Sequence, residues 1–114
     1  MTDELIAAFG PDIPMQEIAA ALWYYDRGEI EDIIELANTD IQEACQRLIE
    51  ARKEADEAFG EGWQVVETVS QETPWAVEKR LWDMDLSCGR DGAVTYWLVP
   101  KKKLTRVQRL LEEC

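Results

Sequence analysis

The sequence predicts an α+β fold, and three features of the 114-residue chain lead to this prediction. Apolar side chains recur at helical spacings of three and four through the first sixty residues. Residues 63–70 and 93–99 are instead rich in β-branched and aromatic side chains, which favour strands. From residue 101 the helical spacing returns. We therefore predict three or four N-terminal helices, a small antiparallel β-hairpin or three-stranded sheet, and a C-terminal helix.

One domain is expected to account for residues 1–114, because a chain of this length with 46% hydrophobic residues can bury a single core. Three parts of this domain differ in composition. They are an acidic helical half (1–60), a β-rich part (63–100) and a basic C-terminal helix (101–113).

The first two helices are bounded by capping and helix-breaking residues. Residues 2–9 begin with Thr2 as a candidate N-cap and stop before Gly10-Pro11. Pro14 is suited to opening the second helix, which we expect to end near Gly28.

The next two helices meet at a short break. Residues 30–37 predict a third helix that Asn38-Thr39 ends, and Thr39 is then positioned to cap a fourth helix that continues toward Gly60. The apolar spacing predicts that the fourth helix buries Ile41, Ala44, Cys45, Leu48 and Ile49.

Residues 73–86 fit two secondary structures. Thr73-Pro74 favours a helix start, whereas residues 81–87 alternate apolar and polar side chains as a strand does. We prefer a short helix or turn that passes into a strand. Residues 88–92 then supply the turn of a hairpin whose second strand, residues 93–99, ends at Pro100.

The tail should dock on the sheet or on a partner, because its apolar residues share one helix face. These residues are Leu104, Val107, Leu110 and Leu111.

Charge is distributed unevenly along the chain. Residues 1–62 hold 16 acidic and 4 basic residues, and residues 63–114 hold 8 of each. The net charge of −12 therefore resides in the first half, and it opposes non-specific binding to nucleic acid or to an anionic membrane.

Catalysis, cofactors and metals have little support in the composition. The chain has no histidine, and its three cysteines, Cys45, Cys88 and Cys114, are scattered and odd in number. The carboxylate pairs lack the glycine-bearing pattern of a calcium loop. We expect a non-enzyme without cofactor or metal.

No apolar run is long enough to cross a bilayer, and acids stand where a secretory signal would carry bases. We therefore expect no membrane partner and a cytoplasmic location, in a bacterium or a phage-infected host.

Residues 33–53, IIELANTDIQEACQRLIEARK, have the pattern of two helices joined by a tight turn at Asn38. Upstream, Pro14 and Gly28 keep a matching spacing. Residues 14–53 thus resemble the helix-turn-helix of the fourth region of bacterial sigma factors. The resemblance implies a helix-turn-helix-like bundle whose second helix presents its outer face to DNA. The residues placed to hold the two helices together are Ile33, Leu36, Ala44 and Leu48.

The outer face of that motif carries acid where a DNA reader carries base. Carboxylates repel phosphates, so docking of this face into a DNA groove is disfavoured. Three interpretations stay open: a solvated acidic face, recognition of a basic protein surface, and DNA binding. The candidate partner-binding residues are Glu29, Glu31, Asp32, Glu35, Asp40 and Glu43.

A second cluster is basic. If the hairpin is a wing, this cluster would contact phosphates of nucleic acid. Alternatively, it would pair with the acidic half of its own chain or of a second copy, or it would bind a different acidic partner. Its members are Arg90, Lys101, Lys102, Lys103, Arg106 and Arg109.

Five tryptophans are many for this length. Most should be core residues, but Trp75 and Trp82 flank the least predictable segment and are our candidates for exposed interface anchors.

The sequence therefore predicts a non-catalytic inhibitor or regulator whose acidic half binds a basic, nucleic-acid-binding protein surface. Anti-restriction and anti-CRISPR proteins of phages are similar in physical type, as acidic mimics of DNA. The alternatives are a winged-helix-like transcriptional regulator that binds DNA through the basic cluster, and an assembly adaptor that forms a homodimer through its tryptophan-rich part.

Overall fold

The computed structural model describes residues 2–112 and confirms the α+β prediction. Within this range the elements follow in the order α1 (Thr2–Phe9), α2 (Met15–Tyr24), α3 (Arg27–Thr39), α4 (Ile41–Phe59), β1 (Gln64–Val69), α5 (Trp75–Asp83), β2 (Ser87–Asp91), β3 (Val94–Val99) and α6 (Lys101–Glu112). The basic C-terminal helix is confirmed as far as Glu112; Glu113, its predicted last residue, and Cys114 lie outside the described residues.

A three-stranded antiparallel sheet divides the molecule into layers. Its strand order is β1-β3-β2, so β3 is central. Tyr96 and Leu98 of β3 belong to the core formed with α1–α4, whereas Trp97 and Val99 belong to a second core formed with α5 and α6. Because successive side chains of a strand point to opposite faces, β3 is buried on both sides between two helical layers.

Small residues let the first layer pack closely. Ala19, Ala20 and Ala21 of α2 are buried, and Ala51 and Ala55 of α4 are buried as well. A methyl side chain keeps the backbones of packed helices near one another. Helix α2 therefore contacts α4 on one side and the sheet on the other.

The second layer closes the opposite face of the sheet. Val107 and Leu110 of α6 are buried with Leu81 of α5 against β3. Leu104 and Leu111 are half-buried against the same core, so of the two predicted docking places, the sheet and a partner, the structure shows the sheet.

Polar contacts fix the ends of this layer. The Trp97 indole Nε1–H donates to Thr68 Oγ1 over 2.9 Å. Lys103 Nζ donates to the Met84 carbonyl over 2.9 Å, which gives a partner to a backbone group at the end of α5.

The boundaries of α2 and α3 differ from the prediction. Helix α2 ends at Tyr24, and Gly28 lies in the first turn of α3 rather than at the end of α2. Asp26 caps α3, because its carboxylate accepts the Glu29 backbone N–H while the Glu29 side chain accepts the Asp26 backbone N–H. This reciprocal capping box is a stronger helix-start signal than the glycine two residues later.

The cap of α4 also differs from the prediction. Asp40, not Thr39, is the N-cap, and its carboxylate accepts the Glu43 backbone N–H over 3.2 Å. Thr39 is the last residue of α3, and its hydroxyl donates to the Leu36 carbonyl. A single residue joins α3 to α4, which is shorter than the three or four residues of a typical helix-turn-helix.

Part of the predicted core of α4 is wrong. Ala44 and Leu48 are buried as expected, but Ile41 and Ile49 are 46% and 54% exposed, and Cys45 is exposed. The buried stripe of α4 continues through its alanines, and Ile41, Cys45 and Ile49 lie roughly a quarter-turn around the helix from it.

The predicted short helix that passes into a strand is present, but its boundaries differ from the prediction: residues 81–83 are helical, and residues 88–91 form a strand instead of the predicted turn. Helix α5 extends to Asp83, Asp85 takes a positive φ of 57° in the following turn, and β2 covers Ser87–Asp91. The hairpin turn lies at Gly92 and Ala93. Val77 and Leu81, four residues apart, supply the buried helical stripe that the alternating pattern concealed.

The contact between β2 and α2 leaves no room for a side chain at Gly89. A Cβ there would lie 2.6 Å from Leu22 Cβ and 2.9 Å from the Leu22 carbonyl carbon. Gly89→Ala should therefore lower the free energy of unfolding by about 1–3 kcal/mol, because the added methyl overpacks this contact. Urea denaturation measures the change.

Gly28→Ala is the matched control, since a Cβ at Gly28 would meet only Asp26 Oδ1 at 3.5 Å. This change lies in the first turn of a helix and should be neutral or stabilise by about 0.5–1 kcal/mol. Equal stability losses for the two variants would contradict the close approach of α2 and β2.

Candidate functional site

The acidic surface consists of the outer face of α3 and the start of α4. Its six predicted residues are all exposed: Glu29, Glu31, Asp32, Glu35, Asp40 and Glu43. Ile30 and Ile33 bury the opposite face of α3 in the core. Because α3 packs against α4, amphipathic folding of these two helices leaves their carboxylates on the outside of the molecule.

Some of these carboxylates also have local roles. Glu29 and Asp40 take part in capping α3 and α4. Glu31 pairs with Arg27 Nε at 3.4 Å, but both side chains are exposed, and such surface pairs contribute little to stability. Within residues 2–112, Asp32 and Glu35 form no ion pair, so they remain available to a partner.

A cleft of about 120 Å³ lies between α3 and α4 beneath this surface. Tyr25, Glu29, Asp32 and Arg47 line it together with apolar side chains of α3. The Tyr25 hydroxyl donates to the Arg47 carbonyl over 2.8 Å. Burial and the negative charge of Glu50 raise the pKa of the Tyr25 phenol, and Arg47 opposes them. The phenol therefore responds both to a carboxylate and to a guanidinium of α4.

The acidic surface extends further than the sequence analysis proposed. Glu50, Glu54 and Glu57 are exposed on α4 and continue from Glu43 at spacings of seven, four and three residues. The seven-residue interval from Glu43 to Glu50 and Glu57 was the available signal, because residues seven apart lie on one helix face.

An apolar groove of about 350 Å³ adjoins α4 and was not predicted. Phe9, Ile13, Leu48 and Ile49 line it with Cys45, and its charged lining residues are Asp12 and Glu17. The signal in the sequence was the row Ile41, Cys45 and Ile49, which repeats every four residues beside the core stripe.

The predicted basic cluster is divided in the structure. On α6, Lys102, Arg106 and Arg109 are exposed at helical spacing, opposite the buried apolar face. Lys101 is exposed at the start of the helix, and Lys103 is half-buried against the end of α5.

Arg90 and Arg106 line different cavities. Arg106 faces Arg80 and Asp83 in a groove between α5 and α6. Arg90 lines a cavity of about 390 Å³ that it shares with Arg27 and Glu31 on α3. Arg90 therefore does not extend the basic face of α6, as it would in the predicted wing arrangement.

The acidic surface and the basic helix lie on opposite sides of the sheet. Helices α3 and α4 belong to the layer that packs on α2, whereas α6 packs on the other face of β3. Among the residues from Thr2 to Glu112, no ion pair joins α6 to α3 or α4. The Lys101 side chain at the start of α6 does lie against Gly62 in the turn after α4, so the tail adjoins the acidic half there but forms no ion pair with α3 or α4 among the described residues.

Trp75 and Trp82 are exposed, as the sequence analysis expected. Trp75 is 72% exposed and Trp82 is 47% exposed, whereas Trp63 and Trp97 are buried. The ring of Trp82 contacts Trp97 edge-on, with 5.2 Å between centroids. Their role as interface anchors stays a prediction.

Other site classes find no support in the described part of the chain. Residues 2–112 contain no group of three or more His, Cys, Asp or Glu side chains placed to hold a metal ion. No described helix is both long and apolar enough to cross a membrane. Burial raises the pKa of the Cys88 thiol, which disfavours the reactive thiolate.

Comparison with known proteins brought no match, whether with family models, with curated proteins or with solved structures.

The Tyr25 phenol provides a test of the field between α3 and α4. Its pKa should lie above the ordinary value of 10.0. Glu50→Gln should lower this pKa because it removes a nearby negative charge, and Arg47→Gln should raise it because it removes a positive charge. Titration of the Tyr25 ring carbon signals by NMR measures both shifts.

Tyr96 is the internal control for this titration. Burial raises its pKa too, but Thr2, Glu67, Asp91 and Asp3 are the groups that act on it, so its titration should not respond to either variant. Shifts of Tyr25 in the same direction for both variants would contradict the proposed field.

Proposed function

We propose that this protein is a non-catalytic inhibitor or regulator that binds a basic, nucleic-acid-binding surface of another protein. The acidic surface on α3 and α4 is the binding element, and its carboxylates take the place of phosphates. The proposed setting is the cytoplasm of a bacterium or of a phage-infected host, where anti-restriction and anti-CRISPR proteins are of similar physical type.

The separation of charge across the sheet is the observation that carries this proposal. If the acidic face paired with the basic tail, the two sets of charges would largely cancel, and the acidic face would attract a basic partner only weakly. Here the sheet and its two cores separate α6 from α3 and α4. At physiological salt the field of exposed charges decays over about 8 Å, so charges on the far side of the sheet scarcely screen the acidic surface.

Electrostatics alone would give rapid but weak association, since exposed charge pairs contribute mostly to encounter rate and specificity. Stable complexes also need a desolvated apolar contact near the centre of the interface. The apolar groove beside α4 supports such a contact. Its acidic lining, Asp12 and Glu17, favours an apolar side chain that has basic neighbours on the partner.

Nucleic-acid channels of proteins combine basic side chains with apolar and aromatic ones in this way. The combination of carboxylate rows and an apolar groove on α4 is therefore suited to such a channel. This match supports a mimic of nucleic acid more than a generally acidic protein.

A second candidate function is DNA binding by a transcriptional regulator that uses α6. The exposed row of Lys102, Arg106 and Arg109, with Arg80 across the groove, favours this alternative. Phosphate contacts of this kind would be independent of DNA sequence.

The charge-reversal test of the main proposal uses the triple variant Glu31→Lys, Asp32→Lys and Glu35→Lys. Bound to a column, the wild-type protein should retain a basic nucleic-acid-binding protein from a host extract, and excess duplex DNA should release it. The triple variant should retain it at least about a hundredfold less, because each reversal replaces an attraction with a repulsion. Mass spectrometry and affinity titration of the retained protein measure the loss.

The matched control is Glu61→Lys, Glu67→Lys and Glu72→Lys, which changes net charge equally at exposed positions outside α3 and α4. It should retain the partner. Retention by the first triple variant, or equal losses for both, would remove the acidic surface from the mechanism.

The DNA-binding alternative is tested by the mobility of random duplex DNA at low salt. Wild-type protein should leave the mobility unchanged if the acidic proposal is right. Retardation that disappears in the variant Lys102→Gln, Arg106→Gln and Arg109→Gln would instead establish α6 as a phosphate-binding helix.

A further inference from the structure

Helix α5 carries an unusual row of side chains beside its buried stripe. Trp75, Glu78 and Trp82 follow one another at spacings of three and four residues, so they share one helix face. Both tryptophans are exposed, whereas Glu78 between them is only 8% exposed. The row lies in the layer formed by α5 and α6, across the sheet from the acidic surface.

Glu78 has a carboxylate oxygen that accepts no hydrogen bond from the described residues. Its Oε1 atom is buried and, among residues 2–112, receives no hydrogen bond. A buried carboxylate oxygen without a donor is strongly unfavourable, and such groups are rare in folded proteins. The atom therefore needs a donor that the described residues do not supply.

Helix α5 itself offers no such donor. The positions three and four residues from Glu78 are Pro74, Trp75, Leu81 and Trp82, none of which is basic. The adjacent cations, Lys79 and Arg80, are exposed, and neighbouring residues of a helix point in different directions.

Elsewhere in the molecule a carboxylate, a tryptophan ring and an arginine contact one another. Arg52 lies over the Trp63 ring, with its guanidinium carbon 5.4 Å from the ring centroid. Asp56 accepts hydrogen bonds from Arg52 Nε over 3.2 Å and from the Trp63 indole Nε1–H over 2.8 Å. On α5 the carboxylate and the aromatic rings are present, and the arginine is missing.

We propose that Trp75, Glu78 and Trp82 form a second binding surface that accepts an arginine side chain from a partner protein. The guanidinium donates to Glu78 and lies against the faces of the tryptophans. Guanidinium suits this position better than ammonium because it is planar, weakly hydrated and able to donate two hydrogen bonds while it stacks on an aromatic ring.

The dimensions of the row favour a protein segment over a free small molecule. Seven residues separate Trp75 from Trp82, which is about 10 Å along a helix. An arginine head group spans only the centre of this distance and covers the parts of the two indoles nearest Glu78, so flanking residues of the partner would contact the rest of each ring. Exposed tryptophans around a charged centre are typical of the energetic core of protein interfaces.

The test uses the full-length protein and an acetylated, amidated peptide with one arginine between two Ala-Ala-Ala segments. Binding is followed by the indole N–H signals of Trp75 and Trp82 in two-dimensional NMR spectra. The arginine peptide should shift both signals. Its analogue with citrulline, which has the same shape without the charge, should bind at least about tenfold more weakly.

Glu78→Gln should weaken the arginine peptide at least about tenfold, and Trp75→Ala should weaken it as well. Glu72→Gln is the matched control, because it removes the same charge from an exposed loop position and should bind as the wild type does. An unchanged signal of Trp63, which lies in the other core, would verify that each variant is folded. The urea midpoint of Glu78→Gln should equal or exceed that of the wild type, since the variant removes an unpaired buried charge.

Four results of the peptide and stability measurements would overturn the proposal: no shift with the arginine peptide, equal binding of the citrulline peptide, equal effects of the two glutamine variants, or a lowered urea midpoint for Glu78→Gln. Light scattering of the free protein tests a second copy as the source of the arginine. A concentration-dependent dimer that Glu78→Gln abolishes would assign the surface to self-association and overturn the assignment to a partner protein.

Discussion

The burial of β3 on both faces is the constraint on which the rest of the structure depends. A strand that packs apolar side chains in two directions needs a helical layer on each side. On one side the alanines of α2 and the absence of a side chain at Gly89 allow α2 to approach the sheet closely. Helix α4 then packs on α2, and α3 packs on α4. On the other side Trp97 and Val99 require the apolar faces of α5 and α6. The two layers follow from one six-residue strand.

This arrangement decides where the charges lie. Helices α3, α4 and α6 are amphipathic, and once their apolar faces meet a core their charged faces must point outward. Because α6 meets a different face of β3 from the one that α2 meets, its bases cannot reach the carboxylates of α3. The separation of acidic and basic residues onto opposite sides of the sheet is thus a consequence of how the apolar helix faces pack, not of interactions between the charges themselves.

The fold was largely predictable because helical and strand periods are local properties of the chain. Where the prediction failed, two local signals competed. The alternation of Trp82, Met84 and Leu86 imitates a strand, but Val77 and Leu81 bury a helical stripe, and tertiary packing favours that stripe. Thr39 and Asp40 are both suitable helix caps, and Asp40 is the one that caps α4. The exposed acidic residues were found because amphipathic helices put charge outside, whatever their neighbours are.

The apolar groove and the α5 row were not predictable for a different reason: both depend on which of two adjacent stripes a helix buries. In α4 the alanine stripe turns inward and leaves Ile49 beside Phe9. In α5 Glu78 is buried between two exposed tryptophans at the border of the buried stripe, although a glutamate at that position would be expected to be solvated. One oxygen of this carboxylate is buried without a donor among residues 2–112, and Asp56 beside Arg52 indicates what kind of group could donate to it. The unpaired oxygen of Glu78 is therefore more informative about binding than the many carboxylates that water already satisfies.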